Sequence, residues 1–272
     1  MTASSARAQT RTRRLLILGG TGEAADLADA VQQRFGARID VMTSLAGRTE
    51  HPRVVPGKLR IGGFGGSQEL SRYLREGGFD FVIDATHPFA AKISASAREA
   101  CDAAGVPRLV LVRPAWRRDP KDRWIEAADA QSAATLITNL GARVFMTVGR
   151  RELAPFAALP RCWFLVRLVE QPREPIPFPE DRYELIVARG PFTVAGERAL
   201  MERHRIDVLV AKASGGGATE AKLLAARSLG LPVILLSRPP NESGETAESI
   251  GQALDWLTEM LVRLDETPAV RT

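Results

Sequence analysis

Short apolar runs recur along this chain and alternate with longer segments whose apolar positions fall three and four apart, the pattern of strands alternating with helices. In the first half the runs predict strands at 15–18, 37–43, 59–61, 79–84 and 108–112, with helices at 23–35, 68–76 and 90–104. Gly105 and Pro107 stop the last of these helices. Two prolines and many charges in Arg113–Arg123 read as a connection between domains. The alternation then resumes, with strands at 144–148, 163–169, 185–188, 208–211 and 233–236 and helices at 130–139, 152–158, 194–204 and 219–228. A terminal helix, Thr246–Leu264, follows, and the pattern leaves open which half it packs on. Runs that are apolar throughout, without polar alternation, predict parallel strands covered on both faces. The expected class is α/β: a disordered tail over 1–13, a first domain over 14–115 and a second over 116–264.

The first strand breaks into Gly19-Gly20-Thr21-Gly22 and then a helix, with another strand after it. Gly20, Gly22 and Ala25 therefore fit G-x-G-x-x-A inside a βαβ unit, the setting in which such a turn lets a backbone approach a diphosphate at a helix N-terminus. A tight turn without a ligand would carry the same glycines. An NAD site presents an acid at the end of the second strand, whereas an NADP site offers hydroxyl and guanidinium groups to the 2′-phosphate. Asp40 lies inside the strand and the loop beyond reads Thr43-Ser44-Leu45-Ala46-Gly47-Arg48. NADPH is the expected cofactor, with Ser44 and Arg48 as ligands of its phosphate.

Composition narrows the partners. Lys and Arg number 37 against 32 Asp and Glu, a net charge of +5, with the basic residues dispersed and aromatics at 6%. That pattern supports no nucleic-acid surface and suits a small acidic ligand instead. Cys101 and Cys162 form no C-x-x-C and no cluster with histidine, so no metal site is expected and both read as structural thiols of a reducing compartment. No apolar stretch approaches the roughly 20 residues that span a bilayer, and no signal-peptide core precedes Leu15, so a cytoplasmic location without membrane contact is expected. The arginine-rich segment before Leu15 reads as a short tail, a transit peptide being the other reading.

Open α/β sheets bind ligands at the carboxyl ends of their strands. Thr86 and His87 follow one strand of the first half and can reach the cofactor. Lys212 and Ser214 precede Gly215-Gly216-Gly217 and a helix near Thr219, a nest of backbone donors for an anion or a plain glycine loop capped by Thr219. In order, these strand ends resemble the precorrin-6A reductase family of cobalamin biosynthesis. The resemblance runs through G-G-T-G-E-A at 19–24, T-S-L-A-G-R-T at 43–49, D-A-T-H-P-F-A at 84–90, G-R-R-E-L at 149–153, A-R-G-P-F at 188–192 and K-A-S-G-G at 212–216. It spans 14–240, and nothing is carried to the tail or to the segment after Glu242.

The resemblance implies two Rossmann-like domains, each a mainly parallel sheet flanked by helices, with the active site in the interdomain cleft. The implied activity is NADPH-dependent reduction of a macrocycle double bond, precorrin-6A to precorrin-6B. The first domain would hold NADPH through Gly19, Gly20, Thr21, Gly22, Glu23, Ala24, Ser44, Arg48, Thr86 and His87. The second would hold the polycarboxylate tetrapyrrole through Arg150, Arg189, Lys212, Ser214, Gly215 and Gly216. Arg113, Arg117, Arg118 and Arg151 are further candidates for its carboxylates. Lys212 is the candidate proton donor, water the alternative. Transient contact with neighbouring pathway enzymes is a further expectation. A short-chain or epimerase-type oxidoreductase would need Tyr-x-x-x-Lys, but Gly77 and Val187 stand four residues after Tyr73 and Tyr183. A non-catalytic NADPH-binding redox sensor stays open; it would have no need of the second half's strand-end residues.

Overall fold

The computed structural model describes residues 11–47, 53–240 and 242–266. Most of the expected tail and Arg48 lie outside the described residues. The chain divides into two compact units, Met1–Arg113 with Pro240–Thr272, and Pro114–Pro239.

The first unit is built on β1 (Arg13–Leu18), β2 (Ile39–Leu45), β3 (Lys58–Ile61), β4 (Phe81–Asp84), β5 (Arg108–Leu111) and β12 (Glu245–Ala247). Their order is β12-β5-β4-β1-β2-β3, with every pair parallel. Side chains alternate across a strand, so β1 serves two cores. Leu15 and Ile17 join Leu27, Val31, Phe81 and Leu257, while Leu16 and Leu18 join Leu70, Leu74, Val82 and Ala97. The helices that supply these partners are α1 (Gly22–Phe35) and α7 (Ile250–Glu266) on the first face, α2 (Ser67–Glu76) and α3 (Ala91–Ala104) on the second.

The C-terminal segment departs from the pattern's prediction. In place of a helix from Thr246 in a second domain, the chain returns to the first unit, adds β12 beside β5 and only then becomes helical at Ile250. The physical reason is a face that needs covering: Ala253, Trp256, Leu257, Met260 and Leu261 of α7 close over the core of β1, β4 and α1.

The second unit holds β6 (Arg123–Ala127), β7 (Arg143–Thr147), β8 (Trp163–Leu168), β9 (Tyr183–Val187), β10 (Val208–Lys212) and β11 (Pro232–Leu236). Their order is β6-β11-β10-β7-β8-β9, again wholly parallel. On one face Phe145, Leu165, Leu209 and Val233 pack with residues of α5 (Val194–Arg203) and α6 (Ala221–Ser228). The other helix, α4 (Ala130–Ile137), is capped by Asp129, whose side chain accepts from Ser132 N. Two predictions fail here. Strand β6 has no counterpart in the apolar pattern, because R-W-I-E-A is an edge strand paired only with β11 and keeps charged residues exposed. The predicted helix over 152–158 is instead two single 3₁₀ turns, Arg150–Glu152 and Ala154–Ala158, since Pro155 offers no N–H to a continuous helix.

Each sheet reverses its order once near its centre, between β1 and β4 in the first unit and between β7 and β10 in the second. Such reversals open a crevice at the strands' carboxyl ends. Cys101 and Cys162 are free and buried, and burial pushes the Cys101 thiol up to about 12. Among the described residues no helix is long and apolar enough to cross a membrane.

Candidate active site

At the first unit's reversal, Gly19 donates its N–H to Ser44 O at 2.9 Å, which draws the turn against β2. A Cβ at Gly19 would stand 3.2 Å from Thr43 Cγ2 and 3.3 Å from Leu45 Cδ2. Gly20 has φ +107, a conformation that L side chains rarely adopt. A Cβ on Gly20 or Gly22 would meet nothing within 4 Å, so the turn faces open space. Thr21 caps α1 by accepting from Ala24 N at 3.1 Å, and its hydroxyl donates to Ala85 O at 3.0 Å, tying the turn to the end of β4. Ala24 is buried beneath the turn. Glu23, in the first turn of α1, would repel an incoming anion, but Arg113 Nη2 pairs with its Oε2 at 2.7 Å and offsets that charge. The Gly20, Thr21 and Gly22 N–H groups have no backbone acceptor among the described residues, and with open space and a neutralised acid they suit a diphosphate.

The neighbouring positions are more varied. Strand β2 runs to Leu45, past the predicted end at 43, so Ser44 is an in-strand residue only 5% exposed rather than a loop residue. Asp40 sits near the opposite end of β2, held by Lys58 Nζ at 2.9 Å and Arg14 Nε at 3.5 Å. Beyond β4, buried Asp84 accepts at Oδ1 from Thr86 N at 3.1 Å and from the Thr86 hydroxyl at 2.7 Å. Its Oδ2 stands 3.9 Å from Arg108 Nη1. His87 Nδ1 accepts from Phe89 N at 3.2 Å. Thr86 and His87 thus form a short, internally bonded connection into α3, on the same side of the reversal as Thr21.

At the second unit's reversal, Lys212 Nζ, at the end of β10, pairs with Glu152 Oε1 at 2.6 Å. Glu152 lies in the turn after β7, and a Cβ at Gly149 would approach its Oε2 to 2.7 Å and Lys212 Nζ to 3.7 Å. The missing Cβ makes room for the ion pair. Gly215 and Gly216 both have positive φ, +67 and +76. Ser214 is 4% exposed with its hydroxyl 3.5 Å from that of Thr219, so the loop turns its side chains inward and offers backbone outward. Arg150, in the turn after β7, pairs with Glu174, and Arg189, just past β9, pairs with Glu170 at 3.2 Å. Of the other arginines, Arg118 donates to Trp124 O at 3.2 Å, while Arg113 serves the first unit.

The structure therefore joins Lys212 to the turn after β7 and sets Ser214, Gly215 and Gly216 in the adjoining loop. It holds Arg150 and Arg189 each on a glutamate of the segment after β8. Glu152, Glu170 and Glu174 are absent from the residues that sequence alone singles out for the site, although Glu152 stands inside the G-R-R-E-L run. Also missed is Lys222, buried behind the loop.

The family model "Precorrin-6x reductase CbiJ/CobK" matches residues 14–258. The chain is 47% identical over 245 residues to a precorrin-6A reductase of Rhodococcus erythropolis, covering 90% of this chain and 97% of that one. It is 43% identical over 246 residues to one of Rhodobacter capsulatus, covering 90% and 96%. A solved structure described as "CobK precorrin-6A reductase" superposes with a TM-score of 0.83 at 42% identity, covering 91% of this chain and 97% of that one. Motif order, two parallel sheets with a reversal each, and similarity along nearly the whole length agree, and the chain belongs to the precorrin-6x reductase family of oxidoreductases.

Proposed function

We propose that this enzyme reduces metal-free precorrin-6A to precorrin-6B at the expense of NADPH, as a step of cobalamin synthesis in the cytoplasm. The observation that carries the reading is the glycine turn after β1, open to space at Gly20 and Gly22 and relieved of its acidic charge by Arg113. The substrate half rests on cations at the carboxyl ends of β7, β9 and β10 of a single sheet, and on the compound in the names of the relatives at 43–47% identity.

Gly20, Thr21 and Gly22 would hold the diphosphate through backbone N–H groups, next to Gly19, whose own N–H is held by Ser44 O, with Thr86 and His87 alongside. Glu23 and Ala24 support that turn, one paired with Arg113 and the other packed beneath it. The 2′-phosphate falls to the end of β2 and the residues that follow it, where the chain carries Ser44 and Arg48. NADPH, when bound, supplies a hydride. The chain's own residues orient the acceptor and manage the proton that must accompany it. A corrin precursor carries acetate and propionate carboxylates around its rim. Arg150 and Arg189 take these in place of Glu174 and Glu170, each charge-assisted bond contributing about 1.5–3 kcal/mol. Gly215 and Gly216 shape a loop whose N–H groups take a further carboxylate, and Ser214 anchors it. Lys212 Nζ carries the proton, with Glu152 Oε1 holding the ammonium at 2.6 Å until the substrate draws on it.

The test mixes purified enzyme, NADPH and precorrin-6A while NADPH absorbance and the macrocycle spectrum are followed together. Loss of NADPH in step with a blue shift of the macrocycle is expected, with NADH much slower. NADPH left intact with both the metal-free and the cobalt-bound substrate would overturn the reading. Faster turnover of the cobalt form would overturn its metal-free part alone.

A further inference from the structure

Behind the glycine-rich loop of the second unit lies a buried cation that the proposed reaction does not touch. Lys222, on α6, is 7% exposed, and its Nζ donates to Thr219 O at 2.8 Å. It stands 5.6 Å from the ring centroid of Trp116, whose indole N–H donates to Gly216 O at 2.8 Å. Two donors from behind thus grip the carbonyls at either end of the Gly217–Thr219 turn. Other carbonyls of the loop are held likewise, Ala213 O by Arg238 Nε at 3.0 Å and Gly215 O by the Thr219 hydroxyl at 3.3 Å.

In a planar trans peptide the C=O and the following N–H point in opposite directions, so fixing an oxygen aims the next N–H. Trp116 on Gly216 O turns the Gly217 N–H away from the protein interior. Lys222 on Thr219 O orients the Glu220 N–H, which donates to Gly217 O at 3.2 Å and so sets the Ala218 N–H opposite. Neither the Gly217 nor the Ala218 N–H has a backbone acceptor among the described residues.

The choice of lysine is informative. Methionine would fill the same volume without burying a charge, and no carboxylate pairs with Lys222 among the described residues. The acid that acts on it, Glu197, is already bound bidentately by Arg167. A charge left without a paired carboxylate directly beneath a nest of N–H groups strengthens the nest's hold on an anion.

We infer that Lys222 is a positioning residue for substrate binding, holding the Gly217–Thr219 turn with its N–H groups outward and lending them its charge. This rests on the reading of the loop as the site of a substrate carboxylate. Lys222→Met should raise KM for precorrin-6A about tenfold while kcat and the NADPH Kd stay within twofold and the protein melts no lower than wild type. Trp116→Phe, which keeps an aromatic ring but drops the bond to Gly216 O, should raise KM about threefold. Lys222→Arg, retaining charge and donor, should recover part of the loss. A folded Lys222→Met with wild-type KM overturns the inference; should that variant fail to fold, an unmoved KM in Trp116→Phe does so. Gly217→Pro removes one outward N–H at a position with open space and a helix-start geometry. If Gly217→Pro raises KM and Lys222→Met does not, the role of Lys222 falls alone. If neither moves it, the reading of the loop falls as well.

Discussion

Lys222 carries its charge at a cost that pH exposes. Burial above all, with Arg167 adding to it and Glu197 opposing, lowers its amine from 10.5 to about 8. The folded state therefore binds this proton more weakly than the unfolded chain does. The resulting penalty is full below about pH 8 and fades as pH rises toward the unfolded value, so this group makes stability climb over that window. At about 1.4 kcal/mol per tenfold change in proton affinity, the penalty near neutrality is on the order of 3 kcal/mol. Lys222→Met removes it while losing one hydrogen bond of about 1 kcal/mol, so the variant should melt a few degrees above wild type near pH 7. Thermal unfolding followed up to about pH 10 should show that gap closing, and a gap constant with pH would contradict the assignment. At this scale the sequence reveals residues whose role is local. Gly20 and Thr21 are legible because a turn and a cap are made by neighbours in the chain. Glu152 is not, because its partner Lys212 comes from the approach of β7 and β10, and Lys222 is not, because its bond to Thr219 O gains its meaning from Trp116 brought in behind the loop, which no spacing encodes.

The loop between β10 and α6 depends on glycine at one position far more than at another. Gly215 has φ +67, and a Cβ there would lie 2.2 Å from Pro114 O and 2.6 Å from Arg238 Nη2. Backbone cannot rotate aside as a side chain can, so Gly215→Ala must shift either the loop or the strand connection at Pro114. With about 1–2 kcal/mol for the left-handed conformation and a similar amount for the clash, a loss of roughly 2–4 kcal/mol is expected, along with a raised KM for substrate. Gly217 has open space and no positive φ, so Gly217→Ala should cost less than about 1 kcal/mol. Denaturant unfolding of the two variants decides, and equal losses would refute the steric argument. Element by element, the buried parallel strands are the legible part, since β1, β4, β7, β10 and β11 are apolar on both faces. Two of the four edge strands defeat the same reading. Strand β6 keeps two charged residues exposed and β12 is the short polar run E-T-A, so neither stands out as an apolar run.

At the scale of the whole chain, the two sheets follow one strand plan and differ in where the sixth strand comes from. In the first, β1 to β5 are completed by β12 from the far end of the chain, whereas in the second, β7 to β11 are completed by β6 from just ahead of them. The residues after Pro239 therefore belong physically to the first unit, although 126 residues of the second intervene. The amphipathic stripe of α7 is plain in the sequence, but a stripe records only that a helix has an apolar face and is silent on which sheet receives it. Ending the chain at Pro240 should then injure the first unit selectively. It deletes β12 and the cover that Trp256, Leu257 and Met260 place over Leu15, Ile17, Val31 and Phe81. Uncovering several large core side chains costs about 2–5 kcal/mol each, more than a domain's usual margin of stability of about 5–15 kcal/mol can absorb for long. The second unit keeps all six of its strands within Pro114–Pro239. Hydrogen exchange on the shortened chain should show rapid exchange throughout β1, β2 and β4 with protection kept in β7, β10 and β11, and NADPH binding abolished. Ending instead at Glu266 leaves α7 whole and should preserve both. Full NADPH affinity in the chain ending at Pro240 would mean that α7 merely decorates a unit that is complete without it.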